Sequence, residues 1–290
     1  MKYKIKKLSV RSFKNEFIGD PNTTVNYVSN LNNANLECLT FCNSNRINEI
    51  ENVNAGIILV NQNMKKLINK FGAKALIFSN NPMKDFIEII TLNYSNKLKK
   101  KDLSIRGDNL SIAENVFIEE KCLIGDNTEI FPNTVIHSNS KIGKNCRIQS
   151  NSTIGAIGLA YVEEDKKFKE RFIHLGGVII EDNVDIGSNT TVVKGILQNT
   201  IIGEGTKIGN NVNIGHNVII GKNCFISAGA MLCGSVVVED NCWIAPGSNI
   251  LNKVIVKQNT LIGLGSVVFR NTKSNSVYVG NPAKRINERK

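Results

Sequence analysis

From Ile112 onward an aliphatic residue recurs at every sixth position: 112, 118, 124, 130, 136, 142, 148 and 154. The period resumes at 180, 186 and 192, then runs unbroken from Ile202 to Val268, giving 23 hexads in all. A fixed short period marks a solenoid, and six residues is the repeat of a β-helix. Position four of the hexad is Asn or Gly in 19 of the 23. Those two residues most readily take a positive φ, so a corner is expected there in each repeat. Position five is small, as in Thr128, Ser140, Val212, Cys224, Ala230 and Thr260. Side chains alternate along a strand, which turns positions five and one inward and position six outward. The pattern predicts short strands, sharp turns and a narrow interior of small and aliphatic residues.

Position six is apolar eight times in the last twelve hexads: Ile219, Phe225, Met231, Val237, Trp243, Ile255, Leu261 and Val267. An outward apolar stripe of that length is unusual for a monomer. A loop or the C-terminal tail is one cover for it; the favoured one is a subunit interface in a symmetric oligomer. The period breaks twice. About twenty extra residues, 160–179, include Tyr161, a charged run from Glu163 to Arg171, and His174. Four more shift the frame between Val192 and Ile202. Loops on a rigid scaffold are where binding groups usually sit.

Residues 1–96 follow another rhythm. Apolar runs at 57–60 and 75–78 alternate with helix-like stretches around Lys65–Lys70 and Met83–Tyr94, the second opened by Asn81-Pro82. This predicts a small α/β domain over 1–101, closed by the basic run Lys97–Lys101, which is read as a solvated linker with phosphate binding as the alternative. The β-helix then occupies 102–273 and a tail 274–290.

Composition narrows the function classes. The formal charge of +11 is compatible with nucleic acid, but no helix-turn-helix, RNP-like or finger pattern accompanies it, and aromatics make up only 6%. Phosphorylated small molecules would use the same charge. No apolar run approaches a membrane span, and the lysine-studded start lacks the block of a secretory signal, so a cytoplasmic protein is expected. Seven cysteines without a CxxC pair argue against a disulfide framework and against zinc. Cys122, Cys146, Cys224 and Cys242 fall at position five and read as packing residues.

There are three histidines. His137 follows an inward Ile and is expected to be solvated. His174, in the insertion, is a candidate for lining a substrate pocket. His216 holds position three of a regular hexad, Ile214-Gly215-His216-Asn217. None has the spacing of a histidine metal site, and no metal is expected.

The repeated aliphatic-Gly-x-Asn-small pattern resembles the hexapeptide acyltransferases, and the order of the whole chain resembles UDP-3-O-acylglucosamine N-acyltransferases of lipid A synthesis. The shared features are a small α/β domain, hexads, a Tyr-containing insertion, Thr190-Thr191-x-x-Lys194-Gly195 and then Ile214-Gly215-His216-Asn217. The ending Gly280-Asn281-Pro282-Ala283-Lys284-Arg285-Ile286 resembles the tail of sugar acetyltransferases that use acyl-CoA. The resemblance implies a mainly β chain, a left-handed parallel β-helix preceded by a small α/β domain, assembled as a homotrimer. It also implies that His216 is the general base and that a coil is 18 residues. His216 then stacks against Gly234, with Lys194 on the coil before. Gly234 leaves room for a pantetheine arm, and its N–H becomes the candidate oxyanion donor. The chain departs from the family at the uracil-holding run, where Phe41, Ser44 and Ile47 keep only the aromatic, and at Val193-Lys194 and Lys253.

The chemistry expected is attack of an amine on a thioester. An imidazole accepts the amine proton, help typically worth ~10²–10⁴ in rate, and a fixed N–H steadies the tetrahedral oxyanion. The leading expectation is an N-acyltransferase that moves an acyl group from acyl-CoA to a dTDP- or UDP-linked amino sugar for surface polysaccharide. Phe41, Tyr161, His174 and Lys194 are the substrate-binding candidates, and Asn252 and Lys284 those for CoA. The alternatives are the lipid A enzyme with an acyl carrier protein donor, a sugar O-acetyltransferase, and a trimeric scaffold without activity.

Overall fold

A computed structural model describes residues 1–94, 107–164 and 167–289, without the side chains of 162–170. Lys97–Lys101, read as a linker, lies outside the described residues, as do most side chains of the charged run from Glu163. The chain divides into two compact units, Met1–Lys97 with Leu159–Leu175, and Leu98–Gly158 with Gly176–Lys290. Most of the excursion at 160–179 therefore groups with the first unit rather than with the repeats.

The first unit is a six-stranded sheet. Its strands are β1 (Lys2–Ser9), β2 (Phe17–Gly19), β3 (Thr24–Ser29), β4 (Cys38–Cys42), β5 (Ile57–Asn61) and β6 (Ala75–Ser79), in the spatial order β1-β3-β4-β5-β6-β2. β3 to β6 are parallel and the two edges antiparallel. The central β5 and β6 are almost wholly buried, which is why they read as unbroken apolar runs. Helix α1 (Pro82–Asn93) opens on Asn81, whose side-chain oxygen accepts the Lys84 N–H, with Pro82 in the first turn. Phe86, Ile87 and Ile90 form its buried face. The helix expected around Lys65–Lys70 is instead a 3-10 segment, Gln62–Leu67, which buries none of its residues. Without an apolar face to dock, propensity alone does not sustain an α-helix of that length.

The second unit is a three-faced parallel β-helix. Each hexad contributes one short strand, and every third strand joins the same sheet. Partners lie 18 residues apart in the regular run, 38 across the first break and 22 across the second. The ladder therefore continues through both insertions, with Ile148 beside Ile186 and Ile186 beside Ile208. The aliphatic residues of position one form the core, all buried except the first, Ile112. Position four takes a positive φ in nearly every repeat, including Lys121, Ser235 and Lys253. Ile157, Gly195 and Asn271 are outside that set, and they stand at the first insertion, at the four-residue shift and at the end of the repeats. The corner conformation belongs to the repeat geometry, and Asn or Gly adopts it at least cost.

The outward apolar residues do not form one stripe. Three hexads to a coil place Phe225, Trp243 and Leu261 on one sheet and Ile219, Val237 and Ile255 on a second. Met231 and Val267 lie on the third with Asn249 between them. The tail is a hairpin, Ser276–Val279 with Lys284–Glu288, that extends the first of these sheets. No helix among the described residues is long and apolar enough to cross a membrane.

Candidate active site

Position three of successive coils forms a column along one corner: Ser138, Ala156, Lys194, His216, Gly234 and Asn252. The ladder sets this order, with Val192 beside Ile214, Ile214 beside Leu232, and Leu232 beside Ile250. His216 is half-buried, and its imidazole lies against Gly234: a Cβ built there would sit 2.5 Å from Nε2. Any side chain at 234 would displace the ring.

The proton on His216 is set by Asn217. The Asn217 side-chain Oδ1 accepts the Ile196 N–H at 3.2 Å and lies 3.1 Å from His216 Nδ1. An atom that accepts a backbone N–H is the amide oxygen, so Nδ1 must donate to it and Nε2 is the basic nitrogen. Asn217 is itself fixed at φ 59°, and its N–H donates to Thr200 Oγ1 at 3.0 Å. Ile196 and Thr200 belong to the stretch where four extra residues enter. That small insertion builds the support of the imidazole.

The corner also lacks a feature found elsewhere in the helix. In other coils the position-three side chain accepts the position-three N–H of the coil before: Asp126 from Asp108, Asp182 from Lys144, Asn210 from Ser188, Asp240 from Lys222. Gly234 has no side chain to offer His216, and among the described residues Asn252 makes no such bond to the Gly234 N–H.

Lys194 holds the expected place one coil before His216, but its amine turns the other way. It is buried, and Nζ donates to the Ser138 carbonyl at 2.9 Å. His137, expected to be solvated, binds a buried carboxylate instead: its Nδ1 lies 3.1 Å from Glu119 Oε1, and Glu119 Oε2 accepts the Ser138 N–H at 2.8 Å. Burial pushes the Glu119 carboxyl up, but the Ser138 N–H, His137 and the Lys194 charge outweigh it and hold the group below its ordinary range. The sequence carried no sign of this cluster, because Glu119 at position two looks like any solvent-facing acid.

The other candidates belong to the first unit and to the tail. In the first unit, Phe41 packs its ring 4.9 Å from Phe86. His174 is buried, with Nδ1 3.1 Å from the Phe172 carbonyl, to which it donates. Tyr161 is 41% exposed and shares a cleft of about 340 Å³ with Asn43, Ser44, Asn61, Asn80 and Asn81. The cleft lies at the carboxyl ends of β4, β5 and β6, where open parallel sheets bind ligands. Lys284 opens the last strand of the tail hairpin and is exposed. Among the described residues no group of three or more His, Cys, Asp or Glu side chains is placed to hold a metal.

The family model for bacterial transferase hexapeptide repeats (six repeats) matches residues 121–156 and 199–234, the second stretch taking in both His216 and Gly234. Those two stretches make up 72 of the 290 residues, so the match shows hexapeptide repeats of the bacterial transferase type within the β-helix.

Two curated relatives resemble the chain over 54 residues each. They are UDP-3-O-acylglucosamine N-acyltransferases of Sinorhizobium fredii, 46% identical, and Rhizobium meliloti, 44% identical. The match takes in 19% of this chain and 15% of the length of each relative. Solved structures share the fold over more of the chain. A UDP-N-acetylglucosamine acyltransferase from Campylobacter jejuni superimposes with a TM-score of 0.56 at 23% identity, over 63% of this chain and 70% of its own. One from Bacteroides fragilis gives 0.57 at 23% identity, over 68% and 74%. The fold is the left-handed parallel β-helix with a small α/β domain.

Proposed function

We propose that the protein transfers an acyl group from a thioester to the amine of a nucleotide-linked amino sugar, with His216 as general base. One observation carries the reading: an imidazole whose basic Nε2 is set by Asn217 and which lies against a glycine. As the amine nitrogen attacks the thioester carbon, Nε2 takes its proton. The oxyanion is steadied by the Gly234 N–H, the C–S bond breaks, and the departing thiolate takes the proton back from the imidazolium. General-base help of this kind is worth ~10²–10⁴ in rate.

The relatives' names favour a UDP-linked glucosamine derivative over a dTDP-sugar as acceptor. Phe41, Tyr161 and His174 of the first unit and Lys194 of the second are the further substrate-binding candidates. The donor is an acyl-CoA if the tail with Lys284 acts like those of sugar acetyltransferases, Asn252 then lying along the pantetheine path. It is an acyl carrier protein if the lipid A type relatives are the guide. The working form is a homotrimer acting in the cytoplasm.

The test supplies the purified full chain with UDP-3-O-acylglucosamine, UDP-glucosamine derivatives and dTDP-amino sugars, each with acyl-CoA and with acyl carrier protein. The acylated product is followed by mass spectrometry. His216→Ala is expected to lower turnover by ~10²-fold or more while the melting temperature holds. Near-normal turnover in that variant would sink the mechanism.

A further inference from the structure

We propose that Glu119 and His137 form a second subsite on the His216 corner, one that takes the diphosphate of the nucleotide-linked acceptor. The proposal rests on the acceptor class given above. His137 sits three coils from His216 in the same sheet, through strands 135–136, 153–156, 191–193 and 213–214. At a strand spacing of about 4.8 Å the two are about 14 Å apart along the corner. A hexose carrying two phosphates, with a hydrogen bond at either end, can bridge that span. The two imidazoles are too far apart to serve the same atom, and the proposal puts them at opposite ends of one ligand.

The charges favour an anion. Glu119 is 8% exposed at its side chain, and His137 29%. The carboxylate can only accept, so Nδ1 of His137 carries a proton and Nε2 is the nitrogen available to a ligand. Behind the ring, the buried Lys194 offsets the Glu119 charge. With His137 as a cation the three groups together carry a net charge of +1, which suits an anion. Two other titratable groups lie close by in sequence or contact. Glu120 follows Glu119, and the Cys122 thiol donates to the His137 carbonyl at 3.3 Å. One coil on, Gly155 packs tightly on this stretch: a Cβ there would come 2.9 Å from Ser140 Oγ and 3.2 Å from His137 Cβ.

The probe is inorganic pyrophosphate, which has neither base nor sugar, titrated calorimetrically into the full chain at about pH 6 and about pH 8. Pyrophosphate itself titrates in this range, so the readout is the difference between wild type and variants. His137→Gln is expected to bind about tenfold more weakly at the lower pH, the loss of one charge-assisted contact, and to show no excess over wild type at the higher pH. His137→Lys, which keeps a cation at both pH values, is expected to bind at both. His216→Ala is expected to bind as wild type does. With the acceptor, His137→Gln is expected to raise KM and leave kcat in place. Equal pyrophosphate affinity in wild type and His137→Gln, or no binding by wild type at either pH, overturns the subsite. Pyrophosphate binding without acyl transfer overturns the acyltransferase reading instead.

Discussion

At the scale of single residues, the candidate site depends on one glycine and one asparagine. Gly234→Ala places a methyl group 2.5 Å from His216 Nε2, so the ring must turn away. Turnover is expected to fall by at least ~10-fold, with a small change in melting temperature. Asn217→Gly keeps the positive φ of the corner but removes the amide that orients the imidazole. It should fold normally and lose ~10-fold or more in kcat. Retained kcat in either purified variant would show that ring orientation is set elsewhere. Glu119 matters for acid stability. Its carboxyl is held below its ordinary range chiefly by the Ser138 N–H and His137 against the cost of burial. A depressed pKa contributes stability above the unfolded value, near ~4.3 for Glu, and that contribution is lost as pH falls through the folded value. Glu119→Gln should therefore cost about 1–3 kcal/mol near neutrality, since it removes the carboxylate that the Ser138 N–H and His137 face. The cost should shrink below about pH 4, as read by denaturant melts across pH.

At the scale of the element, stability resides in the repeating corner. Position four takes a positive φ whether it is Asn, Gly, Ser or Lys, so the repeat imposes the conformation and the residue sets its cost. Asn133, at φ 59°, is a plain example. Asn133→Ala should destabilise by about 1 kcal/mol, while Asn133→Gly should lie within a few tenths of wild type. Equal losses in urea melts would mean that the asparagine side chain, not the backbone angle, is what the corner needs. The first unit shows the contrasting case. Gln62–Leu67 has helix-forming residues and no buried side, and it stops at a 3-10 segment. Pro82–Asn93 has a cap and three large buried apolar residues, and it makes three turns of α-helix.

At the scale of the whole molecule, the three outward apolar ladders are the part a monomer leaves unexplained. Phe225 and Trp243 are 51% and 42% exposed, stacked edge to face at 6.1 Å on neighbouring coils. With Ile219 and Met231 also exposed on the other two sheets, each face of the β-helix carries its own apolar contribution. In a threefold assembly one face of each copy meets a different face of the next, so ladders on two faces are what it requires. Sedimentation should give three times the 32.0 kDa of the chain. Phe225→Lys combined with Trp243→Lys should lower that mass, whereas an unchanged mass would move the interface to another sheet.

Much of this was legible in the sequence because a solenoid makes long-range contacts at fixed separations. Once the period is six, the core is position one and the corner is position four; with the 18-residue coil that the resemblance implies, residues 18 apart are neighbours. The stacking of His216 on Gly234 follows from that arithmetic. Its limit is that it places backbones and faces, not side-chain directions or partners. The spacing puts Lys194 one coil before His216, but its amine reaches back past the small Ala156 to the Ser138 carbonyl. His137 looked solvated because nothing in a hexad states that the acid 18 residues earlier turns inward to meet it. The apolar residues of position six read as one stripe because a linear pattern does not show that three hexads close a coil and divide them among three faces. The sequence by itself determined the hexad strands, their corners and the core, and the coil length that the resemblance implies added the column on which the site is built. Only the tertiary structure decided which charges in that column face each other, because those pairings depend on burial and on rotamers chosen between coils.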